Sequence, residues 1–485
     1  MNDGSSIPFR LDDAVNAIQA LLGENSGVIT RRFFGANRAF AVLFVDGMSD
    51  KELINEAIIR PIGEADAAVC CSAEAISSHC ITQCELKSLA DINTLVDELL
   101  NGNAILLAEG FCVGLSAGVK KWDRRAVTES PTSTVIKGPR EGFTEDFQMN
   151  LVLLRRKLRT PAFSMETLKL GRFSKTNVAV VFLKGVADET VVARVKARLE
   201  ALDVDGILDS SYLVEALEDH KSSLFKQIGN TEKPDILAAK LLEGRVGVIV
   251  DGTPFALTVP YVLLEDFQSP EDYYTLSYKA TFARFVRFIS VLISVLMPGM
   301  FVAAQLYHLH LIPLRFLMTV IDSIKGIPLS PGLELFFTLL IFEILNEASV
   351  RMPKYVGMAL SVVGALVLGD TAVRAGLVST PTIMIMALSG IGMYTVPDQN
   401  GTLSVLRLVF LILAGSFGFL GILLGVMCLS FYALSLENYG TPLFAPFAPF
   451  HRGDMKDALV RKKLFTMTER PHSIPTGNRI RKRNP

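Results

Sequence analysis

The chain has 485 residues, half of them hydrophobic, and a formal net charge of −1. Its charge is segregated: residues 1–280 carry 30 Lys and Arg against 39 Asp and Glu, residues 281–440 carry 8 against 7, and residues 441–485 carry 10 against 3. An acidic front argues against nucleic acid as its main partner, and the length allows about three domains.

From the N-terminus, Leu11 to Leu22 has helical apolar spacing, and Val28 to Phe34 and Ala39 to Val45 read as strands. Met1 to Arg10 lacks a basic stretch followed by an apolar core, so the front is expected to stay in the cytoplasm. The strand Ala41 to Val45 ends in Asp46-Gly47 and leads to Asp50-Lys51-Glu52, a helix start with acids in its first turn. The same phrase returns at Ala179 to Gly185, leading to Asp188-Glu189 and a helix to about Leu202. A second match pairs Leu99-Leu100-Asn101-Gly102 and the strand after it with Leu241-Leu242-Glu243-Gly244 and the strand to Asp251-Gly252. Two matches at nearly one offset argue for an internal duplication. Each copy alternates strand and helix, an α/β pattern.

The expected fold class is therefore an α/β soluble region of two tandem related modules, followed by an all-α polytopic membrane domain. The boundaries read as a lead-in over 1–38, a first module over 39–127 and a connecting loop and helix over 128–165. A second module over 166–280, a transmembrane domain over 281–440 and a basic tail over 441–485 complete the chain. The loop Lys137-Gly138-Pro139-Arg140-Glu141-Gly142-Phe143 reads as a turn between modules, since it lacks the Lys-Ser/Thr ending of a phosphate loop.

Chemistry-bearing patterns are sparse. There is no G-x-S-x-G, H-E-x-x-H or dinucleotide fingerprint, so no enzyme and no cofactor is expected. The six cysteines include Cys80-x3-Cys84 beside His79, which lacks the paired C-x2-C spacing of a zinc site. They read as reduced thiols filling a core, with no metal.

Five hydrophobic blocks follow: Thr281 to Leu306, Pro331 to Val350, Val356 to Val378, Thr380 to Pro397 and Leu403 to Leu434. Each approaches or passes the roughly 20 residues that a span needs. The basic tail places the C-terminus on the cytoplasmic side with the front. Two ends on one side need an even number of crossings. Four full crossings plus one re-entrant, broken element is the preferred count, unless the weaker segment Leu314 to Ile324 also spans.

Within these blocks lie Glu334, Glu343, Asn346, Glu347, Asp370, Arg374 and Arg407. Charges in lipid are costly and face a protein interior or a wet path. Glu343 and Glu347 share a helix face, with Asn346 beside them and Arg351 and Arg374 as candidate partners. On the helix from Val356 to about Val373, one face gathers Val362, Leu366, Gly369, Asp370 and Val373. Small residues Gly357, Ser361, Gly364 and Ala365 occupy the other, suited to close helix approach. The first face is the candidate pore lining, with Val362 and Leu366 forming a hydrophobic constriction and Asp370 favouring cations at its mouth. A packed central helix without a pore is the competing reading.

The motifs Thr134 to Phe143 (Thr-Val-Ile-Lys-Gly-Pro-Arg-Glu-Gly-Phe), Thr231-Glu-Lys-Pro-Asp235, Leu241-Leu-Glu-Gly-Arg-Val246 and Val250-Asp-Gly-Thr-Pro-Phe255 resemble the GerA family of spore germination proteins. Gln268-Ser-Pro-Glu-Asp-Tyr-Tyr274, Phe342-Glu-Ile-Leu-Asn-Glu-Ala348 and Val363-Gly-Ala-Leu-Val-Leu-Gly369 extend the resemblance across roughly Phe40 to Pro449. One departure is Ser223-Leu-Phe-Lys-Gln227, where the family has Ser-Pro-Phe-Pro-Gln, with Lys233 in place of Arg. The resemblance implies the A-type subunit of a germinant receptor, or its stage V AF-type paralogue, in the spore inner membrane. It further implies a homo-oligomer that passes monovalent cations when nutrients are sensed, with a transporter-like B subunit and a lipoprotein C subunit as partners. A secondary transporter would show an inverted repeat in the membrane half, whereas the repeat lies in the soluble half. A non-conducting scaffold is the third alternative.

Overall fold

The computed structural model describes residues 7–23, 27–66, 70, 72–81, 84–120, 137–351 and 367–482. The described residues from Ile7 to Val259 form two modules of one topology. In the first, α1 (Leu11–Leu22) precedes the hairpin β1 (Val28–Gly35) and β2 (Arg38–Val45). A helical excursion runs from Lys51 to Glu64 and again from Ala73 to Cys80, with π-helical turns at Asn55–Ile59 and Ile76–Cys80. Then come β3 (Leu86–Leu89), α2 (Ile92–Leu100), β4 (Ala104–Ala108) and β5 (Gly114–Ala117). The second module repeats the series as α3 (Phe147–Lys157), β6 (Phe163–Leu170), β7 (Thr176–Leu183) and α4 (Glu189–Glu200). It closes with the helix Ser211–Leu217, β8 (Gly229–Thr231), α5 (Pro234–Leu242), β9 (Val246–Val250) and β10 (Ala256–Val259).

The strand orders are β1-β2-β4-β5-β3 and β6-β7-β9-β10-β8, and every ladder is antiparallel. The register repeats as well. Phe40 faces Ala108 and Leu43 faces Ile105 in the first sheet, while Val178 faces Val250 and Val181 faces Gly247 in the second. Because a slip of one residue would turn every side chain to the other face, a conserved register means that the two cores are laid out alike. Ala41, Leu43 and Val45 meet α1 and α2 on one face, and their counterparts Ala179, Val181 and Leu183 meet α3 and α5. On the other face, Phe40, Val42 and Phe44 pack on the excursion and Val178, Val180 and Phe182 on α4. Asp50 and Asp188 cap the equivalent helices, each accepting backbone N–H bonds from the first turn. The turns after α2 and α5 need Gly102 at φ 90° and Gly244 at φ 104°, a region that side chains avoid.

Two sequence boundaries shift. Residues 1–38 are not a lead-in: α1 fills the first core and β1 pairs with β2 along its whole length. Likewise α3, read as part of a connector over 128–165, is the second module's counterpart of α1. Amphipathic helices of this kind gain stability only by burial against a sheet, so neither stands outside its module.

The helical half contains α6 (Ser277–Tyr307), α7 (Leu314–Ile324), α8 (Pro331–Arg351), α9 (Thr380–Met393) and α10 (Asn400–Ser435). α6 and α10 are long and apolar enough to cross a membrane. α10 is not one rod. Gly418, at φ 64° and ψ −145°, breaks the helix, and the chain folds back so that a Cβ on Gly421 would lie 2.2 Å from the Leu413 carbonyl oxygen. In a continuous helix those residues would be about 12 Å apart. The Tyr307 hydroxyl donates to the carbonyl oxygens of Gly415 (2.8 Å) and Ser416 (3.0 Å), which satisfies groups freed by the break. Each arm, 400–417 and 419–435, is about 26 Å long, close to the ~30 Å hydrocarbon thickness.

Both ends of this helical hairpin return to the second module. Leu224 accepts from Thr402 through its carbonyl (3.1 Å) and donates its N–H to Tyr432 (2.9 Å). α6 leaves the module at Ser277 and reaches the hairpin apex at Tyr307. α8 starts there, with Gly332 against Val302 and Leu306, and runs back. α9 starts at the far end, where Ser379 bonds Glu334, and returns to place Gly392 against Ser290. The block read over Leu403 to Leu434 therefore supplies two antiparallel arms.

A charged junction joins the halves. Asp272 binds Arg284 (3.1 Å) and Arg287 (2.8 and 3.0 Å), and Arg284 also donates to the Asp457 carboxylate (2.9 Å) and to the carbonyl oxygens of Asp457 (2.7 Å) and Ala458 (2.8 Å). The tail continues over the second module, where Thr476 pairs with Ala187 and Arg470 donates to the Leu242 carbonyl oxygen (2.6 Å).

Candidate functional site

The polar residues of the helical half converge on one node. Arg407, on the first arm of α10, is fully buried and ion-pairs with Glu343 of α8. Its Nη1 donates to Ser389 Oγ of α9 (3.0 Å), and its guanidinium lies 5.5 Å from the Phe342 ring centre. Ser389 and Ser294 of α6 exchange bonds, each hydroxyl donating to the other's carbonyl oxygen (2.6 and 2.7 Å). Four helices thus meet through Ser294, Glu343, Ser389 and Arg407. The close approach depends on small residues, since a Cβ on Gly392 would lie 2.7 Å from the Ser290 carbonyl oxygen and one on Gly390 2.6 Å from the Phe342 ring. An unpaired charge here would carry a penalty of several kcal/mol, so the ion pair explains how Arg407 is tolerated.

The other sequence-selected residues separate. Asn346 accepts from the Tyr394 hydroxyl (3.2 Å). Glu347 pairs with Arg351 one turn on, both exposed. Arg374 pairs with Asp370 at 2.7 Å, also at the surface of the single chain. Of the two proposed partners for the glutamates, Arg351 binds Glu347, whereas Glu343 takes Arg407 instead of Arg374. Helix geometry explains this, since Asp370 is the i−4 neighbour of Arg374. Gly369 and Val373 are half-buried and a Cβ on Gly369 would meet nothing within 4 Å. Val362 and Leu366 lie outside the described residues.

Sequence reasoning missed two features. The first is the hairpin, for which the signal was an apolar block of about 32 residues, longer than one span, with Gly415, Gly418 and Gly421 at its centre. The second is a cavity of about 190 Å³ between the modules, lined among others by Gly27, Asp46, Gln148, Arg155, Met165 and Asn177. Arg155 is buried there, and its nearest hydrogen-bonding partner is the Met165 sulfur at 3.5 Å. Burial pushes its guanidinium down to about 10, against the field of Asp46. No sequence signal marked it, because basic residues at a helix end ordinarily complement the dipole.

A duplicated soluble region fused to an apolar helical half defines a membrane-associated two-part protein. The Bacillus/Clostridium GerA spore germination protein family matches residues 16–473, and the chain belongs to it. It is 34% identical to spore germination protein KA of Bacillus subtilis over 95% of this chain and 86% of that one. It is 33% identical to spore germination protein GerQA of Bacillus cereus over 99% and 96%. Among solved structures, it is similar to the N-terminal domain of the A subunit of the Bacillus megaterium spore germinant receptor GerK3, at 30% identity and a TM-score of 0.43, covering 52% of this chain and 96% of that one.

Proposed function

We propose that the chain is the A-type membrane subunit of a spore germinant receptor, held in the spore inner membrane with its modules and tail on the cytoplasmic side. Copies assemble through the helical half and pass monovalent cations when a nutrient is sensed, alongside a transporter-like B subunit and a lipoprotein C subunit. The observation that carries this reading is the direct connection of the second module to the helices. Leu224 touches both ends of α10, and Arg284 joins the interdomain segment, α6 and the tail, so a movement of the module reaches the bundle. The described helices suit the reading, since α6, α8, α9 and the two arms of α10 all run between the module end and the Tyr307 apex.

A non-conducting scaffold is favoured by one observation, that Glu343, Asp370 and Arg407 are satisfied within a single chain. Bilayer recordings of the purified assembly separate the two. Conduction requires unitary currents, with Val362→Ala or Leu366→Ala raising resting conductance and Asp370→Asn lowering cation preference. An assembled but silent protein supports the scaffold.

A further inference from the structure

We propose that Cys70 and Cys80 form a reversible disulfide, making the first module a site of oxidation by low-molecular-weight disulfides. Their sulfurs lie 3.5 Å apart, and both residues are buried in the same apolar cluster against the outer face of the first sheet. A disulfide needs about 2 Å between sulfurs, so side-chain rotation of roughly 1.5 Å closes the gap. Cys80 ends the π-helical turn Ile76–Cys80, a local irregularity of the kind that often marks functional positions.

The distribution of thiols points the same way. Five of the six cysteines fall between residues 70 and 112, and none occurs from residue 113 to residue 427. The second module has the same topology and no cysteine, so thiols are not needed to fill this fold. Cys84 packs half-buried against the same cluster, while Cys112 and Cys428 are exposed and distant in sequence.

The chemistry balances by exchange. One thiol loses its proton and attacks a sulfur of the external disulfide, forming a mixed disulfide and expelling one thiolate. The second thiol then attacks the mixed bond, releasing the other thiolate and leaving the Cys70–Cys80 bond. Two protons and two electrons leave the protein, and the external disulfide becomes two thiols. Burial and the neighbouring Cys70 push the Cys80 thiol up to about 11, so the thiolate is scarce near neutrality and the rate should rise about tenfold per pH unit up to pH ~10.

The test uses the detergent-purified full chain treated with oxidised glutathione at pH 7, 8 and 9, followed by alkylation under denaturing conditions and peptide mass mapping. The expected product is a Cys70–Cys80 linkage 2 Da lighter than the dithiol, reversed by dithiothreitol, lost in Cys80→Ser and Cys80→Ala, and raising the thermal midpoint by a few degrees. Full alkylation of both residues after treatment overturns the proposal. So does glutathione confined to Cys112 and Cys428, or a bond that uses Cys71 or Cys84 in place of either partner. If both Cys80 variants misfold, the wild-type peptide map alone decides.

Discussion

Glu343 and Arg407, 64 residues apart in sequence, form an ion pair across two helices, and Arg407 has no exposed surface. Because one partner alone would leave a buried charge, single replacements should be severe and the double replacement milder. Glu343→Leu should cost about 3 to 5 kcal/mol, and Glu343→Leu with Arg407→Met clearly less than the two single losses added. Glu347→Leu, which breaks an exposed pair, should leave the midpoint almost unchanged. Thermal unfolding in detergent checks the ranking, and equal effects at Glu343 and Glu347 would remove the node.

Tyr307 holds the apex of the α10 hairpin. Tyr307→Phe removes the donor to two carbonyl groups and should cost about 1 to 2 kcal/mol. Gly418→Ala meets both a positive φ and the Tyr307 ring at 3.0 Å, so it should cost more. Single cysteines placed next to Asn400 and next to Ser435 should label from the same side of a sealed vesicle. Labelling from opposite sides would restore a single span.

The turn glycines test the duplication at the level of energy. Gly102→Ala and Gly244→Ala each force an alanine to positive φ, at about 1 to 2 kcal/mol. A Cβ at Gly244 would also lie 2.9 Å from the Thr476 hydroxyl, whereas at Gly102 the nearest atom is 3.4 Å away. Gly244→Ala should therefore be the worse of the two by hydrogen exchange or melting, and removal of the tail beyond Arg470 should reduce the difference.

Acid sensitivity should centre on Glu265, in the helical turn Leu263–Phe267 between the second module and α6. Burial pushes the Glu265 carboxyl up, but Arg245 and Lys240 outweigh it and hold it at about 2. A depressed folded value means that the group contributes its full stability above its ordinary value of 4.5 and loses it as pH falls toward 2. Glu265→Gln should flatten the fall in thermal midpoint between pH 5 and pH 2; an unchanged slope would place the acid-labile group elsewhere.

The soluble half was legible because repetition is visible without structure: Ala41 to Gly47 and Ala179 to Gly185 share a phrase, and they fall on equivalent strands β2 and β7. The bundle was less so. Hydropathy reports how long an apolar block is, yet a glycine that turns the chain back leaves the average unchanged, as at Gly418. Arg374 was a candidate partner for the glutamates, but it pairs with its own i−4 neighbour Asp370. Glu343 found its counter-ion 64 residues away, a distance over which spacing carries no information. Arg155 looked like an ordinary helix-end cation because its burial depends on packing between modules.

The bridge between Ala187 and Thr476 bears on the order in which the molecule is made. Domains fold from the N-terminus as the chain emerges, and every strand of the second module's sheet is present once β10 has been synthesised. Its tail-binding edge then waits, uncovered, while more than 200 residues of helix and connection are translated and enter the bilayer. Only when Thr476 appears can this contact close, so a nascent chain carries the second sheet with an open seam until the helical half has been made.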